Sequence, residues 1–326
     1  MTIIVDGMGG DLGPGAAVAA ASVLSLERNL DVLLVGDEGQ ITASLASLAH
    51  NPEQLMVRHA TPAEGQSVQE ASIDLAMKLL ARGQGSALVT AGNAQHVLAA
   101  AGQNLTQLPG VPQPALCAVY PTLRRRGEHR DPYTLILDVG ATMDASPEAL
   151  VGYARMGSAY AARISRNPRP RVALLTSQAG DALGPRYVEE AAGLLAGTSD
   201  IDYIGGIGGV DIAQGTADVV VCGGFVGNVV IHLLEGVPLL VNQFVRAMEE
   251  HGLQKRLALR LLSDDIGQIR SLTDWRHYGG APLLGYDRPV IVTQTDVDGA
   301  GFATAIKLAA KAVREDIVGA VGAACG

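Results

Sequence analysis

Four short glycine-rich segments, each behind an apolar run, hold most of the side chains with chemistry to offer. They are Asp6-Gly7-Met8-Gly9-Gly10-Asp11 after Ile3-Ile4-Val5, and Gly92-Asn93 after Leu88-Val89-Thr90-Ala91. Asp138-Val139-Gly140-Ala141 follows Leu135-Ile136-Leu137, and Gly223-Gly224-Phe225-Val226-Gly227-Asn228 follows Val219-Val220-Val221-Cys222. A strand that ends in glycines and then opens a helix presents backbone N–H groups at a helix N-terminus, where a phosphate or other small anion is stabilised. The expected anion-binding residues are therefore Asp6, Gly9, Gly10, Gly92, Asn93, Asp138, Gly140, Gly224 and Gly227. Two local readings compete: Asp6 and Asp11 can brace a turn, and Asn93 can cap the next helix.

Three side chains are candidates for catalysis. Asn228 can donate to a phosphate or an oxyanion, next to the N–H groups of a helix expected from Val229. His96 and His232 fall on the first turns of expected helices just after glycine/asparagine loops, where a base is useful; a structural histidine is the alternative for each. The seven histidines form neither HxxxH nor HExxH, which excludes a zincin motif. Asp6 and Asp11 alone are too few for a metal site, so no metal is expected. The first loop is not GxGxxG, and no GxSxG elbow or P-loop lysine occurs. No cofactor is expected.

The elements that must position these groups alternate along the chain. Strands are expected over 2–5, 32–35, 55–58, 87–90, 116–120, 134–137, 171–175, 218–222 and 290–293. Helices are expected over 15–26, 42–49, 68–81, 95–105, 147–164, 187–195, 229–250 and 301–315. Nearly continuous apolar strands between longer Ala/Leu-rich segments indicate an α/β fold, with a mostly parallel sheet covered on both faces in three α/β/α layers. The 326 residues are read as a single domain, with 240–278 as a projecting helical insertion. In that insertion Lys255, Arg256 and Arg260 flank leucines, which fits either a docking face for an acidic protein or membrane, or a solvated amphipathic helix.

Composition narrows the class further. Apolar residues make up 48% and charged residues 17%, which excludes a disordered chain. The balance of 24 basic against 33 acidic residues argues against a nucleic-acid binder. Cys117, Cys222 and Cys325 are few and far apart, as in a reducing cytoplasm. The N-terminus has no signal-peptide pattern, and no run of about 18 uninterrupted apolar residues occurs, so no transmembrane helix is expected.

Taken in order, these segments resemble the PlsX family of acyl-carrier-protein:phosphate acyltransferases. Asp6-Gly7-Met8-Gly9-Gly10-Asp11-Leu12-Gly13-Pro14 is similar to its opening loop, and Ala91-Gly92-Asn93 to the core of a second. Leu137-Asp138-Val139-Gly140-Ala141 with Asp144, and Tyr153-Ala154-Arg155-Met156-Gly157, resemble a third loop and the helix after it. Asp218 through Asn228, with Glu235-Gly236, and then Tyr278-Gly279-Gly280-Ala281-Pro282-Leu283-Leu284-Gly285 complete the series. The resemblance implies a fold related to phosphotransacetylases and isocitrate/isopropylmalate dehydrogenases. It implies a cytoplasmic homodimer, peripheral to the inner face of the membrane. The implied reaction is attack of orthophosphate on the thioester of a long-chain acyl-ACP, giving acyl phosphate for phospholipid synthesis without metal or cofactor.

Several positions depart from the family pattern. Its lysine after strand 171–175 aligns with Leu183, and a second lysine with His232. The acid of its DGF segment is Gly223, and its HGxS segment is Gln294-Thr295-Asp296-Val297. Two readings follow: an acyltransferase with a rewired site, or a paralogue with altered substrate or no catalysis that binds acyl-ACP or an anion.

Overall fold

β-Branched and leucine-rich runs form the centre of the computed structural model, which describes residues 1–27, 30–126, 131–180, 184–250 and 278–326. Strands β1 (Thr2–Asp6), β2 (Asp31–Gly36), β3 (Leu55–His59) and β4 (Ala87–Thr90) alternate with helices α1 (Pro14–Ser25), α2 (Glu38–Leu45) and α3 (Val68–Ala81). Helix α4 (Ala94–Asn104) leads to β5 (Ala115–Arg126) and β6 (Asp131–Leu137), then α5 (Pro147–Ile164), β7 (Arg171–Leu175), α6 (Arg186–Ala196) and β8 (Asp202–Ile207). Next come α7 (Gly209–Gln214), β9 (Val219–Val221), α8 (Gly224–Glu250), β10 (Ala281–Leu284) and β11 (Val290–Val292). Helices α9 (Gly299–Arg314) and α10 (Ile317–Cys325) end the chain.

Among the described residues the strands form one 11-stranded sheet in the order β3-β2-β1-β4-β11-β10-β5-β6-β9-β7-β8. Pairing is parallel except where β10 meets β11 and β5, and where β5 meets β6. Ile3, Ile4 and Val5 are all fully buried, because helices cover both faces, and this is why β1 reads as an unbroken apolar run. On one face Ile3 and Val5 pack with Val18 of α1 and Phe302 of α9. On the other, Ile4 packs with Ile73 and Leu80 of α3 and Val97 of α4. In the second half, Val172, Leu174 and Val219 meet Tyr153 and Tyr160 of α5 and Val188 of α6. The three α/β/α layers expected from the sequence are present.

The differences have physical causes. β8 escapes the sequence reading because it carries Gly205 and Gly206 and is only partly buried, and β10 is only 4 residues long. α2 starts at Glu38 because Asp37 caps it, its carboxylate accepting from Gln40 N at 2.8 Å. α8 begins at Gly224, not Val229, so Asn228 sits inside the helix instead of in front of it. The proposed insertion 240–278 begins as the continuation of α8; residues 251–277, with Lys255, Arg256 and Arg260, lie outside the described residues.

α8 also holds a membrane-length stretch that the sequence does not show as an apolar run. Its stretch Gly224–Val241 is long and apolar enough, by length and composition, to cross a membrane. Asn228, His232 and Glu235 interrupt that stretch, which is why it is invisible as an apolar run. Phe225, Val229, Leu233, Val237, Leu240 and Phe244 are exposed at spacings of three or four, making an apolar stripe along one face of the helix.

Candidate active site

Two aspartates at strand ends organise the loops, and both are fully buried. Asp6 accepts from Met8 N (3.1 Å), Gly9 N (3.2 Å), Thr90 Oγ1 (2.7 Å) and Ser72 Oγ. Asp138 Oδ1 accepts from Leu116 N, Gly140 N and Ala141 N at 2.9, 3.1 and 2.9 Å. Its Oδ2 accepts from Thr142 N at 2.7 Å and Thr142 Oγ1 at 2.9 Å. Burial pushes both carboxyls above the ordinary aspartate range, while these donors pull the other way. Surrounded by protein donors and shut off from solvent, Asp6 and Asp138 brace their loops, a role other than the anion binding expected of them from the sequence.

The same accounting applies to the glycines. The N–H groups of Gly9 and Gly140 go to those aspartates, Gly92 N donates to Thr90 Oγ1 at 2.9 Å, and Gly227 N donates to Gly223 O at 2.9 Å. These four amides are not free to cradle an anion. Gly224 and Gly227 serve close packing instead: a Cβ at either would collide with the Asp138–Thr142 loop. Gly10, at φ 90°, turns the first loop against the Thr295 carbonyl, and Thr295 Oγ1 donates to Asp11 Oδ2 at 2.8 Å. The loops after β1 and β11 are thereby joined.

At the start of α4, Asn93 is a cap: its Oδ1 accepts from Gln95 N at 3.0 Å and His96 N at 3.2 Å. His96 turns toward α3, with Nε2 3.0 Å from Asp74 Oδ1 and Nδ1 4.0 Å from Glu70 Oε1. Both ring nitrogens face carboxylates of α3, and His96 is not among the residues that line the cleft described next.

Asn228 and His232 do converge. They line a cleft of about 160 Å³ with Ala94 of α4, Glu235 of α8, and Thr293 and Gln294 just after β11. Positions 228, 232 and 235 fall on one face of α8 by their spacing of four and three. Asn228 Nδ2 donates to the Val139 carbonyl at 3.3 Å, tying the helix to the Asp138 loop. His232 Nδ1 lies 3.2 Å from Glu235 Oε2, and Gln294 Nε2 donates to Glu235 Oε1 at 2.7 Å. Burial raises the Glu235 carboxyl above the ordinary glutamate range, while His232 and Gln294 oppose the shift. Leu116, Ala118, Ile231 and Val292 give the cleft an apolar wall. Glu235 and Gln294 were missed as site residues. The His–Glu spacing of three on an expected helix was the available signal for Glu235; nothing in the sequence links Gln294 to it.

A cleft with a polar rim of Asn, His and Glu against an apolar wall suits a substrate with an anionic and an apolar part. The family model described as "Fatty acid synthesis protein" matches residues 1–319. The chain is 32% identical to the phosphate acyltransferase of Geotalea daltonii, over 97% of this chain and 92% of that one. It is 36% identical to the phosphate acyltransferase of Thermus thermophilus, over 97% and 95%. The chain belongs to the PlsX family of phosphate acyltransferases. The fold of this PlsX-family chain is shared with a phosphotransacetylase from Streptococcus pyogenes, at TM-score 0.62 and 16% identity over 96% of this chain and 94% of that one. A branched-chain phosphotransacylase from Enterococcus faecalis superposes at TM-score 0.58 and 14% identity, over 96% and 99%. A 4-hydroxythreonine-4-phosphate dehydrogenase from Klebsiella pneumoniae does so at 0.51 and 13%, over 96% and 97%. The PlsX-family scaffold thus lies within an α/β architecture that extends beyond acyl transfer.

Proposed function

We propose that this chain transfers a fatty acyl group from an acyl-ACP thioester to orthophosphate, yielding acyl phosphate for phospholipid synthesis and free carrier protein. The observation that carries the reading is the cleft itself: Asn228 and His232 stand on the second and third turns of α8, beside an apolar wall formed by β5, β11 and α8. Phosphate is held in the cleft beside Asn228 and His232, whose side chains are its polar partners there. The acyl chain lies along the apolar wall. A phosphate oxygen attacks the thioester carbonyl carbon, the C–S bond breaks, and the carrier thiolate leaves and takes up a proton. The orthophosphate brings its own nucleophilic oxygens, so the work of the protein is to position two reactants and stabilise the developing oxyanion.

The stripe on α8 supports a homodimer that packs helix against helix, testable by sedimentation. Cytoplasmic location and peripheral membrane contact through 244–278 rest on the family resemblance. The continuous sheet supports reading 1–326 as one domain. The deciding experiment mixes purified protein with acyl-ACP and orthophosphate and follows acyl phosphate and free thiol. Stoichiometric release of both is expected. Tight acyl-ACP binding without turnover would instead support the non-catalytic binding subunit.

A further inference from the structure

His232 and Glu235 are one turn apart on α8, and Gln294 reaches them from the end of β11. Glu235 Oε2 lies 3.2 Å from His232 Nδ1, and Glu235 Oε1 accepts from Gln294 Nε2 at 2.7 Å. Both carboxylate oxygens are therefore engaged, and the side chain is held between two elements. The His232 side chain is 58% exposed at the cleft and that of Glu235 only 24%. Both side chains line the cleft, and the imidazole is the more exposed of the two. With Nδ1 turned to the carboxylate, Nε2 is the nitrogen left for a ligand, as when a second partner fixes the orientation of a working histidine.

We propose that Glu235 is the positioning residue of this cleft: braced by Gln294, it fixes the His232 ring so that Nε2 contacts the phosphate group. The proposal rests on the phosphate-binding reading of the cleft. The sign of the electrostatics gives it a specific consequence. Alone, Glu235 is an anion near an anion site, and Asp296 adds to the negative charge there. Only through His232 does Glu235 help phosphate; with the imidazole removed, its carboxylate repels the ligand.

A double-mutant cycle on the full-length protein tests this, with inorganic phosphate as the probe and affinity read by calorimetry and phosphorus NMR. Glu235→Gln keeps the shape and removes the charge. It should weaken phosphate binding on the order of tenfold when His232 is present. In the His232→Ala background the same change should leave affinity equal or improved. Gln294→Leu, which frees Glu235 without touching α8, should reproduce the loss more weakly and also only when His232 is present. Equal losses in both backgrounds would make Glu235 a structural residue and overturn the proposal, as would unchanged affinity in Glu235→Gln. Failure of the wild type to bind phosphate would also overturn it. Turnover with acyl-ACP is measured separately, so a protein that binds phosphate without catalysis refutes the acyltransferase reading while the cycle still decides the role of Glu235.

Discussion

Replacing Asp138 by Asn exchanges one acceptor oxygen for a donor while changing the shape very little. Asp138 receives Leu116 N, Gly140 N and Ala141 N on one oxygen, and Thr142 N and Thr142 Oγ1 on the other. The least costly orientation of Asn keeps its oxygen on the three backbone donors and sets its amide nitrogen against Thr142. The Thr142 hydroxyl can turn to the Tyr153 hydroxyl, already 3.1 Å away, but the Thr142 N–H cannot turn. One buried backbone donor then faces another donor, at a cost of about 1–3 kcal/mol, and the remaining bonds lose their charge assistance. A neutral amide is easier to bury than the carboxylate, which offsets part of this. A net loss of about 2–3 kcal/mol is expected. For 326 residues, an unfolding entropy of about 2.1 cal/mol/K per residue turns that loss into a fall of about 3–4 °C in Tm.

The same substitution has a functional consequence. α8 enters over this loop, with Gly224 and Gly227 pressed against it and Asn228 Nδ2 on the Val139 carbonyl. Loosening the loop should shift the first turn of α8 and weaken phosphate binding. Thermal unfolding with phosphate calorimetry on Asp138→Asn measures both. A Tm within about 1 °C of wild type together with unchanged phosphate affinity would refute the assignment of Asp138 as the loop's organiser.

Other perturbations separate the remaining roles. Gly227→Ala should cost about 1–3 kcal/mol by overpacking against the Asp138 carbonyl, whereas Gly236→Ala, in the same helix with nothing within 4 Å, should gain about 0.5–1 kcal/mol in a urea melt. Asn228→Ala should lower phosphate affinity without lowering Tm by more than a few degrees, while His96→Ala should leave phosphate affinity unchanged and cost less than about 1 kcal/mol, its partners on α3 being part-exposed. Burial raises the Glu235 carboxyl from 4.5, so its contribution to stability is full below that value and is lost as pH rises through the folded value. Glu235→Gln, which cannot ionise, should therefore gain stability relative to wild type between pH 4.5 and neutrality, measured by urea melts at several pH values, even as its phosphate affinity falls.

How much of this was legible depended on where each signal resides. β1 and β9 could be read because strands buried on both faces must be apolar throughout. α5 could be read to the residue because Ser146 caps it and Pro147 opens it. The start of α8 could not, because Gly224 and Gly227 are poor helix formers placed in a helix by their fit against the Asp138 loop, a tertiary cause with no local trace. The convergence of Asn228 and His232 on one cleft follows from helical spacing, so it was accessible in outline. Which amides would remain for an anion was not. That depends on Asp6 and Asp138 folding back onto their own loops, and the sequence of an Asp-Gly loop reads the same whether its N–H groups face a ligand or a carboxylate.

This changes where positive potential can arise at the cleft. A buried carboxylate that gathers the N–H groups of its own loop leaves that loop with little attraction for phosphate, however rich it is in glycine. The loops after β1 and β6 are both of this kind. The first turn of α8 differs, because Gly223 accepts the Gly227 N–H through its backbone carbonyl and has no side chain to cap the helix. An acid at that position would place its own carboxylate at the helix N-terminus and compete with a bound anion for the amides there. Glycine removes that competitor. Gly223 therefore leaves the N-terminus of α8 without an anionic side-chain cap, about two turns ahead of His232.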